Sequence, residues 1–305
     1  MKEKVVVIVG PTASGKTALS IELAHKVNGE IISADSMQIY KDMDIGTAKP
    51  TFEEMQNIKH HLIDFISPEE RFTVSDYKKL AEKEIKEILN KGKTPIIVGG
   101  TGLYINSLIH NIEYKEMKFD KNYREKLEKI ALEKGNKYLY DIAKNIDEEA
   151  IKSISVNDKK RIIRILEIYK ATGKNKTQLE VESRKNEVPF EYKIFGIYIK
   201  REKLYDRINK RVDMMIEQGL IEEVKKIKDK YDKFPTAMQA IGYKEVIEYL
   251  ENKLNKEEMV EKIKMETRRY AKRQITWFKR NKDIKWLNGI DSIQNNINII
   301  LEEVL

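Results

Sequence analysis

Apolar positions along this chain switch between two spacings, and the switches mark its organisation. Lys4–Val9 is a compact β-branched run and predicts a buried strand. Over Ala18–Val27 the pattern becomes helical, and Asn28-Gly29 closes the helix. Glu30–Ala34 predicts a second short strand. Ser75–Leu89 predicts a strongly amphipathic helix with Gly92 just beyond it. Thr94–Val98 predicts a third buried strand ending in Gly99-Gly100. Strands alternating with helices predict a parallel sheet covered by helices.

The pattern changes after Asn111. From Lys121 to Ser183 the chain is polar, helical in period and free of strand signals. Val188-Pro189 marks a boundary, and Tyr192–Lys200 again predicts a strand. Helices are predicted over Leu204–Gln218, Leu220–Lys230, Tyr243–Glu251 and Glu257–Lys279, with a short one in the tail beyond Leu287. The expected architecture is α/β. A doubly wound parallel sheet from residues 1–112 and 191–305 accepts an inserted all-helical domain, residues 113–190.

Composition narrows the class. Of 305 residues, 41% are hydrophobic and 35% charged, which describes a globular chain with a densely charged surface. No apolar run approaches the ~18 residues of a membrane span. The opening MKEKVVVIVGPTASGKT runs from a short apolar stretch straight into a glycine loop, so no secretory leader is expected. There are no cysteines, which excludes disulfides, cysteine-based zinc sites and thiol nucleophiles. A reducing cytoplasm is the expected location. The net charge of +8 is concentrated: Lys264–Lys285 carries nine Lys/Arg against two acids, and Asn157–Lys176 seven against two. Such segments suit a polyanion partner, although lysine-rich solvated faces produce the same count.

Gly10-Pro11-Thr12-Ala13-Ser14-Gly15-Lys16-Thr17 fits G-x-x-x-x-G-K-[ST] and lies between a predicted strand and a predicted helix. Glycines there let backbone N–H groups turn toward phosphate oxygens, and the helix N-terminus adds a positive dipole end. Lys16 supplies a cation and the Thr17 hydroxyl a ligand for Mg²⁺. The fold expected is therefore P-loop NTPase-like. Nucleotide hydrolysis fits poorly, because the strand Thr94–Val98 runs into Gly-Gly-Thr101 and not into a metal-holding acid.

Two further loops follow strand ends, where a doubly wound sheet places its ligand crevice. Ser33-Ala-Asp35-Ser36-Met37-Gln38-Ile-Tyr40 follows the second strand. Asp35 there suits Mg²⁺ binding or general-base work, with an Asx turn as the structural alternative. Gly99-Gly-Thr101-Gly-Leu-Tyr104 follows the third. Its small residues allow close approach of backbone to a ligand, and Thr101 suits hydrogen bonding to a leaving oxygen; a plain strand-to-helix turn is the alternative. His60-His61 has no partner at metal-ligand spacing and reads as structural.

GPTASGKT, ADSMQIYKDMDIGTAKP, IIVGGTGLY and AKRQITWFKR together resemble the tRNA dimethylallyltransferase family, over nearly the whole chain. The resemblance implies that Gly10–Thr17 hold the diphosphate of dimethylallyl diphosphate, with Lys16 and Mg²⁺ neutralising charge. It implies that Asp35 takes the N6 proton of adenosine 37, 3′-adjacent to the anticodon, in tRNAs reading codons that begin with U. Ser36, Met37 and Gln38 would touch the target nucleotide, Thr101 would lie close to the diphosphate, and Arg211 of LYDRINKRVDMM would face it. Positions matching tRNA-contacting segments are Arg124, Lys160, Arg161, Ile162, Ile163 and Arg164, and Gln239, Ala240, Ile241, Gly242, Tyr243 and Lys244. The partner implied is the tRNA anticodon stem-loop, bound by a monomer.

In such a reaction the exocyclic amine is a weak nucleophile, so a carboxylate accepting its proton has a defined task. The base must leave its stack to reach a crevice. Arg268-Arg269, Lys272-Arg273 and Lys279-Arg280 recur at near-helical spacing and suit phosphate contacts, while Tyr270 and Trp277, seven apart, predict an inward-packed face. The rivals are an adenylate isopentenyltransferase acting on free AMP or ATP, a P-loop small-molecule kinase, and an RNA-binding protein with a relic loop. The helical insertion and basic segments favour tRNA over a free nucleotide.

Overall fold

A computed structural model describes residues 2–114, 120–183 and 185–304. The chain forms two compact units: Met1–Ile109 with Pro189–Leu305, and His110–Val188.

The first unit begins with β1 (Lys4–Val9), α1 (Lys16–Val27), β2 (Gly29–Ser33), α2 (Phe52–Met55), β3 (His60–His61), α3 (Val74–Asn90), β4 (Thr94–Gly99) and α4 (Gly102–Ile109). The second unit holds α5 (Lys121–Lys134), α6 (Asn136–Ile146), α7 (Glu148–Lys152), α8 (Lys159–Thr172) and α9 (Lys176–Ser183). The first unit resumes with β5 (Glu191–Tyr198), α10 (Arg201–Glu217), α11 (Leu220–Lys230), α12 (Tyr243–Leu250), α13 (Lys256–Phe278), β6 (Lys285–Asn288) and α14 (Ile293–Val304).

Among the described residues the sheet has six strands, all parallel, in the order β3-β2-β4-β1-β5-β6. β1 reads as an unbroken apolar run because both its faces are covered. Val6 and Ile8 pack with Leu19 and Leu23 of α1 and Ile300 of α14; Val5, Val7 and Val9 pack with Ile85 of α3 and Ile105 of α4. β1 and β4 are neighbours, yet β1 leaves toward one face through α1 and β4 toward the other through α4. Adjacent strands whose connections part in this way open a crevice beyond their carboxyl ends.

β6 had no counterpart in the sequence reading. Lys-Trp-Leu-Asn buries only Leu287 fully and borders a charged run, so its two-residue period is faint; pairing with Phe195–Tyr198 makes it a strand. His60-His61 forms a short edge strand. The His61 ring lies between Glu30 (Nε2 to Oε2, 2.7 Å) and Glu84 (Nδ1 to Oε2, 2.5 Å), a structural setting. Burial raises the Glu30 carboxyl, but Lys93, His61 and Lys91 more than offset this and hold it at about 2.

The helical unit has its own core of Leu127, Ala131, Leu139, Ala143, Ile151, Ile162, Ile163, Ile165 and Leu166. Asp147 stitches it together. Its carboxylate accepts from the Ala150 N–H at the start of α7 (3.0 Å) and from the Thr177 N–H and hydroxyl of α9 (2.8 and 2.7 Å). No helix of the described residues is long and apolar enough to cross a membrane.

Candidate active site

The phosphate loop joins β1 to α1 at the crevice. Gly15 starts α1 in the left-handed conformation (φ 90°), which favours glycine. Lys16 remains partly exposed but is densely surrounded, and its Nζ donates to the Pro11 carbonyl at 2.7 Å. Burial lowers its pKa to about 8; the Asp35 carboxylate partly offsets this and Arg211 adds to it. The Lys16 ammonium thus feels both the Asp35 carboxylate and the Arg211 guanidinium, although the three sit at the start of α1, in the loop after β2 and in α10. Burial also lowers Arg211, with Glu54 opposing. Among the described residues Arg211 forms no ion pair. Two cations facing a loop of backbone N–H groups make a cradle for a polyanion.

Asp35 does two things at once. Its Oδ1 accepts from the N–H groups of Met37 (2.8 Å) and Gln38 (3.3 Å), the Asx turn weighed from sequence. Oδ2 meets no hydrogen-bond partner among the described residues and is left to accept a proton. Thr101 ties this loop to the next one. Its Oγ1 accepts from the Ser36 N–H (3.0 Å) and lies 3.3 Å from Ser36 Oγ, while its own N–H donates to Ala34 O (3.1 Å). Tyr104 lies on the same side, its hydroxyl pKa raised by burial first and then by Tyr40 and Asp35.

Long helix α13 closes one wall. Tyr270, expected only as packing, brings its hydroxyl alongside Thr101 and Gln274. Gln274 is buried; its Oε1 accepts the Thr12 N–H (2.9 Å) and its Nε2 donates to Gly100 O (3.0 Å). The glycines after β4 admit protein side chains on their Cβ side, a reason for small residues that the sequence reading did not include. A Cβ on Gly100 would fall 2.1 Å from Gln274 Nε2, and one on Gly102 2.2 Å from Trp277 Cδ1.

The Asp44-Ile-Gly-Thr-Ala-Lys49 loop is also held from afar. The Glu223 carboxylate accepts from the N–H groups of Asp44 (3.0 Å), Ile45 (2.7 Å) and Gly46 (3.1 Å). The loop's Thr47 and Ala48 carbonyls in turn accept both Gln38 Nε2 hydrogens (3.2 and 3.0 Å). The amide of Gln38 is thereby committed to protein, and Ser36 and Met37 stand half-buried beside it. Sequence reasoning gave no role to Gln274 or Glu223. Gln274 sat within a quoted motif, and an acid in an otherwise apolar helical stripe was the one available sign of Glu223.

For Mg²⁺, the exposed Thr17 hydroxyl, free of other described partners, and the oxygens of a bound diphosphate form the available donor set. That set fits an ion that takes one or two protein oxygens and completes its shell with phosphate and water. No cluster of three or more His, Cys, Asp or Glu side chains that could hold a metal occurs among the described residues.

Basic residues sort by partner. On α13, Arg268 bonds Asn209, Lys264 pairs with Asp213, and Arg269 with Glu266. Lys272, Arg273, Lys279 and Arg280 are exposed, and among the described residues none of them enters an ion pair. In the helical unit Lys160, Arg161 and Arg164 are exposed along α8, while Arg124 lies near Glu128 and Glu167 (3.6 and 3.7 Å). Four expected tRNA-contacting positions need correction. Ile162 and Ile163 lie in the helical core, and Ala240 and Tyr243 in the core beneath α11 and α12. Their side chains hold neighbours outward and do not themselves meet solvent. Gln239 is exposed, Ile241 and Lys244 half-buried, and Gly242 starts α12.

Fold and site together define a P-loop-type α/β enzyme whose strand next to β1 ends without an acid. A family model described as IPP transferase matches residues 38–281. A tRNA dimethylallyltransferase of Acetivibrio thermocellus is 55% identical over 287 residues, 94% of this chain and 92% of the relative. That of Caldanaerobacter subterraneus is 51% identical over 289 residues, again 94% and 92%. The crystal structure of a tRNA isopentenylpyrophosphate transferase from Bacillus halodurans superposes with a TM-score of 0.75 at 43% identity, covering 99% of this chain and 97% of the other. A eukaryotic dimethylallyltransferase acting on tRNA gives 0.81 at 33%, covering 99% and 78%. The chain belongs to the IPP transferase family.

Proposed function

We propose that this chain transfers the dimethylallyl group of dimethylallyl diphosphate to N6 of adenosine 37 in tRNAs that read codons beginning with U. The observation that supports the reading is that Asp35 and Arg211 both act electrostatically on Lys16: two cations for a leaving diphosphate and one carboxylate for a departing proton. The carbon–oxygen bond of the substrate breaks and its electron pair leaves with the diphosphate. The N6 lone pair forms the new carbon–nitrogen bond, and the N6 proton passes to Asp35 Oδ2. Lys16, Arg211 and the N–H groups of residues 10–17 stabilise the charge growing on the leaving oxygens. Mg²⁺, held by Thr17 and the diphosphate, would add further neutralisation there.

The absence of an acid at the end of β4 supports prenyl transfer over nucleotide hydrolysis. The unpaired cations of α13 suit the anticodon stem-loop backbone, and Lys160, Arg161 and Arg164 suit it within the helical unit. We read the enzyme as a cytoplasmic monomer, in keeping with a tRNA substrate.

The test is transfer of label. Incubation with labelled dimethylallyl diphosphate, Mg²⁺ and either tRNA or AMP should label tRNA alone. Label in AMP, or in neither, overturns the reading.

A further inference from the structure

We propose that Gln274 is a positioning residue that sets the separation between the phosphate loop and the Thr101 loop; this rests on the reading of the site given above. In register, β1 and β4 pair up to Val9↔Gly99. Beyond that rung the two chains part toward opposite faces, so no sheet hydrogen bond holds the loops at a fixed spacing. Gln274 supplies the missing link from a third element. Its carboxamide presents one acceptor and one donor in a plane, as a peptide group does. The acceptor takes the Thr12 N–H at 2.9 Å and the donor meets Gly100 O at 3.0 Å. The side chain thus acts as a further rung between β1 and β4, contributed by α13.

The surroundings are built for this contact. Gln274 is 5% exposed, so neither bond competes with bulk water. Gly100 lacks the Cβ that would fall 2.1 Å from Nε2. Tyr270, one helical turn earlier, sets its hydroxyl beside both Gln274 and Thr101. The same carboxamide therefore bonds the loop of Lys16 and, at Gly100, the residue before Thr101, whose Oγ1 accepts the N–H of Ser36 beside Asp35. Leaving-group cradle and base loop are thus aligned by a side chain buried among protein partners. Misplacement of reacting groups by about 1 Å is enough to lower turnover about 100-fold.

Gln274→Met keeps length and volume while removing both bonds. Gln274→Glu keeps the acceptor for Thr12 but sets an oxygen against Gly100 O. Both should lower kcat about 100-fold and weaken calorimetric binding of inorganic diphosphate with Mg²⁺ about tenfold. Dissociation constants for tRNA should stay within about twofold of wild type, which also shows that the variants are folded. The diphosphate measurement involves no prenyl acceptor, so it judges the loop alignment even if the acceptor proves not to be tRNA. A role in stability alone would lower the melting temperature and leave kcat per active site intact. Diphosphate affinity within twofold of wild type in both variants, or kcat within threefold in both, overturns the proposal.

Discussion

The Tyr243 hydroxyl donates to Glu223 Oε1 at 2.6 Å, and this buried pair anchors a loop some 180 residues earlier in the chain. Burial and then the Glu223 charge push the Tyr243 hydroxyl far above its ordinary pKa, which favours the protonated, donating form. Its ring also fills the space beside Gly46, where a Cβ would fall 2.4 Å from the ring edge. The DIGTAKP and AIGYKE motifs are therefore two halves of one packing unit, and through Thr47 and Ala48 that unit orients Gln38.

Tyr243→Phe removes one donor from a buried carboxylate and should lower stability by about 1–3 kcal/mol. Glu223→Ala leaves three loop N–H groups without their acceptor and should cost more, about 3–5 kcal/mol. Urea unfolding with an unchanged m-value is the measurement. Midpoints equal to wild type in both variants would refute the anchoring role.

Asp35→Asn tests the base without disturbing the turn. The amide Oδ1 still accepts the Met37 and Gln38 N–H groups, so the local geometry should persist. What is lost is a group able to take a proton. Turnover should fall about 10²–10⁴-fold, with tRNA affinity nearly unchanged. Turnover at the wild-type level would remove Asp35 from the chemistry.

Lys16 makes diphosphate binding depend on pH with a definite sign. In the free enzyme its pKa is about 8, lowered chiefly by burial. A bound diphosphate stabilises the ammonium and raises that value, so above about pH 8 binding is accompanied by proton uptake. Affinity should be flat with respect to this group below pH 8 and should fall as pH rises beyond it. Calorimetry at about pH 9 in two buffers of different ionisation enthalpy reads the uptake directly. Lys16→Met should bind more weakly and abolish it; equal uptake in wild type and variant would assign the proton elsewhere.

Lys272 and Arg273 are exposed and without carboxylate partners, so neutralising them breaks no ion pair, although Arg273 also lies 5.7 Å from the Tyr270 ring centre. Lys272→Gln with Arg273→Gln should weaken tRNA binding and reduce the slope of log K against log salt by about 1.5. A slope identical to wild type would locate the tRNA footprint away from this face.

Much of the architecture was legible before any coordinates. Lys4–Val9 and Thr94–Val98 announced themselves as strands because both faces of the sheet are covered and the runs are wholly apolar. α3 and α11 were legible because one face of each is polar. β6 escaped because a strand of four residues with one fully buried position has too short a period to register. Tyr270 was read as packing since helical spacing reports which side of a helix a residue occupies, not which group its hydroxyl meets. Ile162 and Ile163 were grouped with the basic residues beside them, although their apolar side chains belong to a core.

By itself the sequence determined the order of elements, the phosphate loop, the strand-end positions of Asp35 and Thr101 and the basic character of α13. All of these follow from composition and spacing within about twenty residues, the range over which helix and strand periods operate. Only the tertiary structure decided that Gln274 bridges two loops, that Glu223 holds a third, and that Arg211 comes near enough to act electrostatically on Lys16. Thr12 and Gln274 are 262 positions apart, and no local period carries information over such a distance. Their meeting is set by which surfaces must close together once the two faces of the sheet bury their apolar area.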